Sequence, residues 1–428
     1  MEAWDLQLTV PRTHTLLEAG GDVHTPPITG SVAITGPSSA LDSSPDNFPK
    51  VNISLVRSVT PRQLDPTVSI PKKSRGSFFK RHHKHSPTSH NYHRTTPTLH
   101  SDVETIVQCD LWHSPDEVDS QDEEDRAWMR LNFIVPIPSN IPATAETVLG
   151  DVSYAIRATV TSPTAPSMPI LIESQPIKIL RRVISEPVQY LRQYPGERVS
   201  TELYLTPDPQ YPDLLGRTKA AYSLQWVARS TITKGERKTE VKYIVVKELK
   251  WRVEETVKHI TISTDGDLQT NAIATTCKAQ HVRHLCDGNQ KGHWIASGAS
   301  RSGDDLIEIP FDIVIPPEVN AANELTLSSY ACQHRRKPCE CDARERSAIV
   351  VDHQLKLEVI TGVDTFDQET GKLVDRKPRV KSFNAAFPLS IGEFISGDDL
   401  SLSELLADDT LPSYDDAYLM PPNYATAQ

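Results

Sequence analysis

The chain has 428 residues, and its 45 Lys and Arg against 56 Asp and Glu give a net charge of −11, which excludes a uniformly basic nucleic-acid-binding surface. Its 33 prolines and 18 glycines reverse the usual order of abundance, so the residue that interrupts helices is over-represented. Only 38% of the residues are hydrophobic, yet a chain of this length can still bury two cores of ordinary size.

Predicted strands begin at once. Trp4, Leu6, Leu8 and Val10 share one face at a period of two, as do Val51, Ile53 and Leu55. The stretch Leu131–Pro138 (LNFIVPIP) reads as a strand closed by Pro136 and Pro138. A second alternating strand, Val152, Tyr154, Ile156, Ala158 and Val160, follows it. A further strand is expected to end at Leu180, which places a unit boundary near Ile179–Pro187. Beyond it come Val199–Leu205, Tyr222–Val227, Val241–Val253, Leu306–Ile315 and Ile349–Ile360, rich in Val, Ile and Trp. The single predicted helix, Leu400–Ala407, is too short to be stable alone. The expected class is all-β, built of sandwiches.

The pattern repeats within the chain. Leu131–Pro138 followed by Val152–Val160 is matched by Ile309–Pro317 (IPFDIVIPP) followed by Val351–Val359. In each, a strand meets a proline stop, a loop follows and an alternating strand returns. Residues 1–180 and 181–395 are therefore expected to form two sandwich units, with 396–428 as a tail.

Three segments break the pattern. Residues 72–101 carry seven Lys and Arg, six His and no acid, and residues 116–125 carry seven acids and no base. Residues 396–428 carry seven acids, and nothing beyond Lys381 is basic. Polar segments of one charge sign cannot repay the entropy of ordering, so all three are expected to be disordered. In the basic segment, Lys72, Lys73, Arg75, Lys80, Arg81 and Lys84 are candidates for peripheral contact with anionic lipid, against the plainer reading of a solvated loop. Ser86 and Thr96, each followed by proline, are candidate phosphorylation sites that would lower its charge.

The cysteines raise the question of zinc. Cys277, His281, His284 and Cys286 form one set, and Cys332, His334, Cys339 and Cys341 another. Their spacings do not match the paired ligands of structural zinc sites, so both sets read as free thiols in surface loops and no metal or other cofactor is expected. Nucleotide-binding, metalloprotease and serine-hydrolase signatures are missing from the sequence, and the chain reads as a non-enzyme. The amino terminus lacks a basic, then apolar, leader, and no run of eighteen apolar residues occurs. A cytoplasmic protein with reduced cysteines is expected.

The tail holds the sharpest motif. Pro421-Pro422-Asn423-Tyr424 is a PPxY sequence, and Leu411-Pro412-Ser413-Tyr414 is its LPxY variant. Adjacent prolines favour a polyproline II conformation that docks between aromatic rings at low entropic cost, with tyrosine filling the next pocket. About 0.07 PPxY matches arise by chance from this composition. Pro421, Pro422, Tyr424, Leu411, Pro412 and Tyr414 read as a pair of WW-domain ligands.

Taken with the tandem sandwich pattern, the chain resembles the fungal-type α-arrestins, or arrestin-related trafficking adaptors, of the arrestin superfamily. The resemblance covers roughly the first 395 residues and is strongest in the Leu131–Val160 block, with Phe133, Pro136, Pro138, Pro142, Gly150 and Tyr154. Gly30 before Ser31–Ile34 also fits, and Tyr222–Glu255, with Trp226, Gly235, Arg237, Lys238 and Trp251-Arg-Val-Glu-Glu255, looks like the family's central hairpin. The basic insert has no counterpart in the family, and no buried charge cluster of the visual-arrestin kind is identifiable. The resemblance implies two arrestin-like, immunoglobulin-like sandwiches and an adaptor that joins a HECT-type ubiquitin ligase to the cytosolic tails of membrane transporters or receptors. It further implies ubiquitylation and endocytosis of that cargo, ubiquitylation of the adaptor, and recruitment to plasma membrane and endosomes. A signalling scaffold for nutrient or ambient-pH sensing is the alternative, with a sandwich-fold metal enzyme or hydrolase behind it.

Overall fold

The structure is a computed structural model. It describes residues 5–37, 49–62, 101–111, 118–119, 126–162, 165–184, 186–194, 200–208, 220–230, 233–234, 239–264, 273–295, 305–330 and 346–395.

The first part of the chain runs through β1 (Asp5–Thr9), β2 (Thr13–Ala19), β3 (Asp22–His24), β4 (Ile28–Pro37), β5 (Lys50–Pro61), β6 (Asp102–Leu111), β7 (Val118–Asp119), β8 (Arg126–Val135), β9 (Ala145–Thr147), β10 (Gly150–Ser162) and β11 (Ala165–Ile184). The second runs through β12 (Val188–Gln193), β13 (Ser200–Pro207), β14 (Ala220–Ser230), β15 (Thr233–Lys234), β16 (Glu240–Thr264), β17 (Ile273–Ile295), β18 (Asp305–Ile315), β19 (Arg346–Asp367), β20 (Leu373–Pro388) and β21 (Glu393–Ile395). Short 3-10 turns at Pro317–Val319 and Leu327–Tyr330 lie in the connection from β18 to β19. The all-β class read from the sequence is the observed class.

Four sheets result. The order β1-β4-β8-β7 packs on β3-β2-β11-β10-β5-β6, and the order β12-β13-β14-β18 packs on β15-β16-β19-β20, with β17 beside β15 on the edge of β16 away from β19. Numbering β1, β4, β5, β6, β8, β10 and β11 as first to seventh, the sheets read 1-2-5 and 7-6-3-4. The strands β13, β14, β16, β17, β18, β19 and β20 give the same two orders, every pair antiparallel. The repeat seen in the sequence is thus a repeat of topology. At both proline stops, after Val135 and after Ile315, the chain leaves one sheet and its next long strand lies in the facing sheet. Proline ends pairing there because it has no N–H for the ladder.

Burial follows the period-two pattern. Val152, Tyr154, Ile156, Ala158 and Val160 of β10 are all buried, with less buried residues between them. One hydrophobic cluster lies between the first pair of sheets, around Ile34, Leu55, Met129, Ile156 and Ile179. A second lies around Leu203, Trp226, Leu249, Ile309 and Leu355. The first cluster also takes in Val257 of β16, Leu325 and Tyr330 of the β18–β19 connection, and Ile349 and Val351 of β19. The two parts of the chain therefore meet through apolar contact.

Several sequence expectations need correction. The strand expected to end at Leu180 continues to Ile184, because Lys178–Val183 pair in parallel with Thr13–Glu18 and Arg182–Ile184 with Glu393–Ile395. Tyr222–Glu255 is not one long hairpin: β14 pairs with β13 and β18, β16 pairs with β17 and β19 in a different sheet, and only the short β15 pairs back onto β16, through Thr233–Lys242 and Lys234–Val241. Within the acidic loop, Val118 and Asp119 pair with Met129 and Trp128. The first Cys/His set is not in a loop but on β17, a 23-residue strand. The helix expected at 400–407 lies outside the described residues.

Candidate functional site

Strand β16 is long enough to serve both clusters: Leu249 and Val253 pack in the second and Val257 in the first. Between Val253 and Val257, in the same inward phase, stands Glu255, 1% exposed. A carboxylate at such a position must be paired, and its cross-strand neighbours supply the partners. Register places Arg283 of β17 on one side and His353 of β19 on the other. Arg283 Nε donates to Glu255 Oε1 at 2.6 Å, and His353 Nε2 lies 3.3 Å from Oε2. The backbone N–H of Ala322 also donates to Oε2, at 2.9 Å. The remaining Arg283 nitrogens donate to the carbonyls of Val319 and Asn320 at 2.9 and 2.8 Å. Burial pushes the Glu255 carboxyl up, but the hydrogen bonds from His353 and Arg283, the guanidinium charge and the Ala322 N–H outweigh it and hold the group at about 2. Glu255 is an anion that fixes residues 319–322.

A row of opposite sign occurs on β5. Its inward positions run Ile53, Leu55, Arg57 and Val59, and Arg57 is 5% exposed. Arg57 Nη2 donates to Glu104 of β6 at 2.6 Å, Nη1 donates to the Ser329 carbonyl at 3.1 Å, and the guanidinium carbon lies 4.6 Å from the centre of the Tyr330 ring. Glu104 also accepts from Arg346 at 2.7 Å, and Asp102 accepts from the Ser347 N–H at 2.6 Å. Tyr330 donates to the Ile349 carbonyl at 2.8 Å, and burial pushes its hydroxyl up to about 12.

Between them the two rows grip one segment. The connection Pro316–Tyr330 is held near residue 320 by Glu255 and Arg283 of the second part and near residue 329 by Arg57 of the first. Tyr330 and Arg346 are the described residues on either side of 331–345, and Arg62 and Ser101 bound 63–100. Arg62 pairs with Asp151 and Glu146 at 2.7 and 3.1 Å, while Ser101 bonds Thr60 at 3.1 Å and also contacts Ser58. Ile395, beside Ile184 of β11, is the last described residue before the tail. The starting points of both inserts thus lie on the strands and segment that join the two parts, and the tail follows a strand that pairs back onto the first.

The residues singled out from the sequence fall elsewhere. Pro421, Pro422, Tyr424, Leu411, Pro412 and Tyr414 lie outside the described residues, as do Lys72, Lys73, Arg75, Lys80, Arg81, Lys84, Ser86 and Thr96 and the set Cys332, His334, Cys339 and Cys341. Of the first Cys/His set, His281 faces Val257 and Cys286 faces Val253, both inward, while His284 stands opposite Glu254 on the outer face, 3.6 Å from its carboxylate. The set is divided between two faces of one sheet. The two polar rows escaped sequence reasoning, although a signal existed. Glu255 and Arg57 are charges in the apolar phase of otherwise alternating strands. No protein-family model and no curated protein sequence matches the chain.

Proposed function

We propose that the chain is a non-catalytic, arrestin-like adaptor with two sandwich units, whose tail recruits a WW-domain ubiquitin ligase of the HECT type. The observation that carries the reading is the seven-strand order occurring twice in tandem, followed in the sequence by an acidic tail with two proline–tyrosine motifs. Tandem sandwiches joined through a gripped connection give a rigid platform for the cytosolic tail of a transporter or receptor. Tyr414 and Tyr424, with Leu411, Pro412, Pro421 and Pro422, stand ten residues apart, so one ligase with two WW domains engages both at a high effective concentration. The outcome is ubiquitylation and endocytosis of the cargo, with the adaptor moving from cytoplasm to plasma membrane and endosomes. Among the described residues no helix is long and apolar enough to cross a membrane.

A pull-down of the full chain by immobilised WW domains tests this reading. Tyr414→Ala with Tyr424→Ala is expected to abolish capture, and each single change to weaken it. Equal capture of the double variant and the parent would remove the main support for the reading.

A further inference from the structure

The outer face of the β17-β16-β19-β20 sheet carries a second polar assembly, far along β16 from Glu255 and independent of the adaptor reading. It sits where the regular ladder fails. Lys247 has no partner in either ladder of β16: pairing passes from Val246 to Glu248 against both β17 and β19. On β17, Gly292 and His293 lie between Lys291, opposite Glu248, and Trp294, opposite Val246, so two residues face one. One step away, the β19–β20 register also shifts, between Thr361 and Val363, before Asp364 meets Arg376. Bulges of this kind re-aim side chains, and three register shifts lie in a line across four strands here. Gly292 takes part in the shaping, since a Cβ there would stand 2.5 Å from the Trp294 indole.

Four side chains meet at this place, Asp364, His293, Arg376 and Lys247. Asp364 is 0% exposed, and His293 Nε2 and an Arg376 nitrogen lie 3.1 and 3.2 Å from its Oδ2. The His293 ring, 36% exposed, turns its other nitrogen, Nδ1, to Lys247 Nζ, within hydrogen-bonding contact. Glu248, the carboxylate nearest Lys247 in sequence, faces Lys250 and Arg379 instead, at 3.9 and 3.6 Å. A buried carboxylate, whose oxygens accept no hydrogen bond among the described residues, thus lies at ion-pair distance from one nitrogen of an imidazole, and the imidazole turns its other nitrogen to a half-buried amine. That is the order of groups by which a carboxylate and a histidine activate a nucleophile.

We propose that Lys247 is an acylation site, a nucleophilic amine that accepts acyl groups from thioesters, with His293 as its general base and Asp364 as the residue that positions His293. Lys247 gives one proton to His293 Nδ1, and Asp364 stabilises the imidazolium. The neutral Nζ attacks the thioester carbonyl carbon. A C–N bond forms, the C–S bond breaks, and the sulfur leaves with the bonding pair. The second amine proton passes to that sulfur, giving the thiol, and His293 returns its proton to solvent. The products are an amide at Lys247, a free thiol and one proton. The change removes the positive charge of Lys247 from the sheet face.

The test uses the full chain incubated with acetyl-CoA at neutral pH, with acetylation of each lysine followed in time by mass spectrometry. Lys291 is the internal standard, an exposed lysine on the neighbouring strand that is not part of the assembly. Lys247 is expected to acetylate about a hundredfold faster than Lys291, at the low side of the usual contribution of a general base. His293→Ala is expected to bring Lys247 down to the rate of Lys291 while Lys291 keeps its own. Asp364→Asn, which keeps an acceptor for the ring but not the charge, is expected to give an intermediate ratio. A parent in which Lys247 reacts no faster than Lys291 overturns the proposal even if a variant fails to fold, and so does a folded His293→Ala variant that retains the fast rate.

Discussion

Burial sorts the cysteines and glycines of this chain into distinct behaviours. Cys277 is exposed, whereas Cys286 packs against the second cluster, and burial, with Asp287 beside it, pushes its thiol up to about 12. Iodoacetamide at neutral pH is therefore expected to modify Cys277 in the native protein and Cys286 only after denaturation, as read by peptide mapping; equal labelling of the two in the native state would contradict the packing. Gly150 opens β10 at φ 152°, with the Thr60 carbonyl 2.6 Å from where a Cβ would stand. Gly150→Ala is expected to cost about 1–3 kcal/mol, lowering the melting temperature without changing the fold. The resemblance had singled out Gly150 and Tyr154 from the sequence, and the structure supplies physical reasons for both: the first lies against β5, and the second donates from a buried hydroxyl to the Pro142 carbonyl at 2.7 Å.

Among the elements, β16 is the one on which the second part depends, since its ladders with β17 and β19 run for most of its 25 residues. Glu255 at its middle is the most consequential ionisable group among the described residues that the structure characterises. Because the folded protein holds this carboxyl at about 2, below its ordinary value of 4.5, ionised Glu255 contributes stability in full above pH 4.5. That contribution drains away as the pH falls from 4.5 towards 2. Glu255→Gln is expected to cost about 3–5 kcal/mol at pH 7, because Arg283 loses its buried partner. Urea midpoints should therefore fall more steeply in the parent than in the variant between pH 4.5 and 2; parallel curves would show that Glu255 does not carry the acid sensitivity. The strands that the sequence concealed are informative in the same way. Among the described residues β17 is an edge strand flanked by β16 alone, and its exposed and half-buried positions carry His, Arg, Gln and Lys, so period-two hydrophobicity is blurred. The first ten residues of β20, Leu373 to Ser382, are all exposed and offer no apolar face to read. Where both conditions are reversed, as in β10, alternation placed every inward residue correctly.

At the scale of the whole molecule, the repeat was legible because prolines mark sheet changes in both halves, whereas the joint was not, because Arg57, Glu104 and Arg346 come together only through long-range register. Glu104 is shared by Arg57 and Arg346, one from each part of the chain. Glu104→Ala leaves Arg57 buried without its carboxylate and is expected to cost about 3–5 kcal/mol. It is further expected to split heat unfolding, followed by calorimetry, into two separable transitions; a single transition with an unchanged midpoint would show that the joint contributes little. The tail motifs lie outside the described residues and rest on the sequence alone, since a proline–tyrosine motif is local and needs no fold around it. A reconstituted reaction of the full chain with ubiquitin, its activating and conjugating enzymes and a HECT-type ligase bearing WW domains tests ligase recruitment most directly. Ubiquitin transfer to the parent chain should be rapid and should fall, in Tyr414→Ala with Tyr424→Ala, to the rate seen with a ligase stripped of its WW domains. Undiminished transfer to the double variant would contradict the proposed adaptor function.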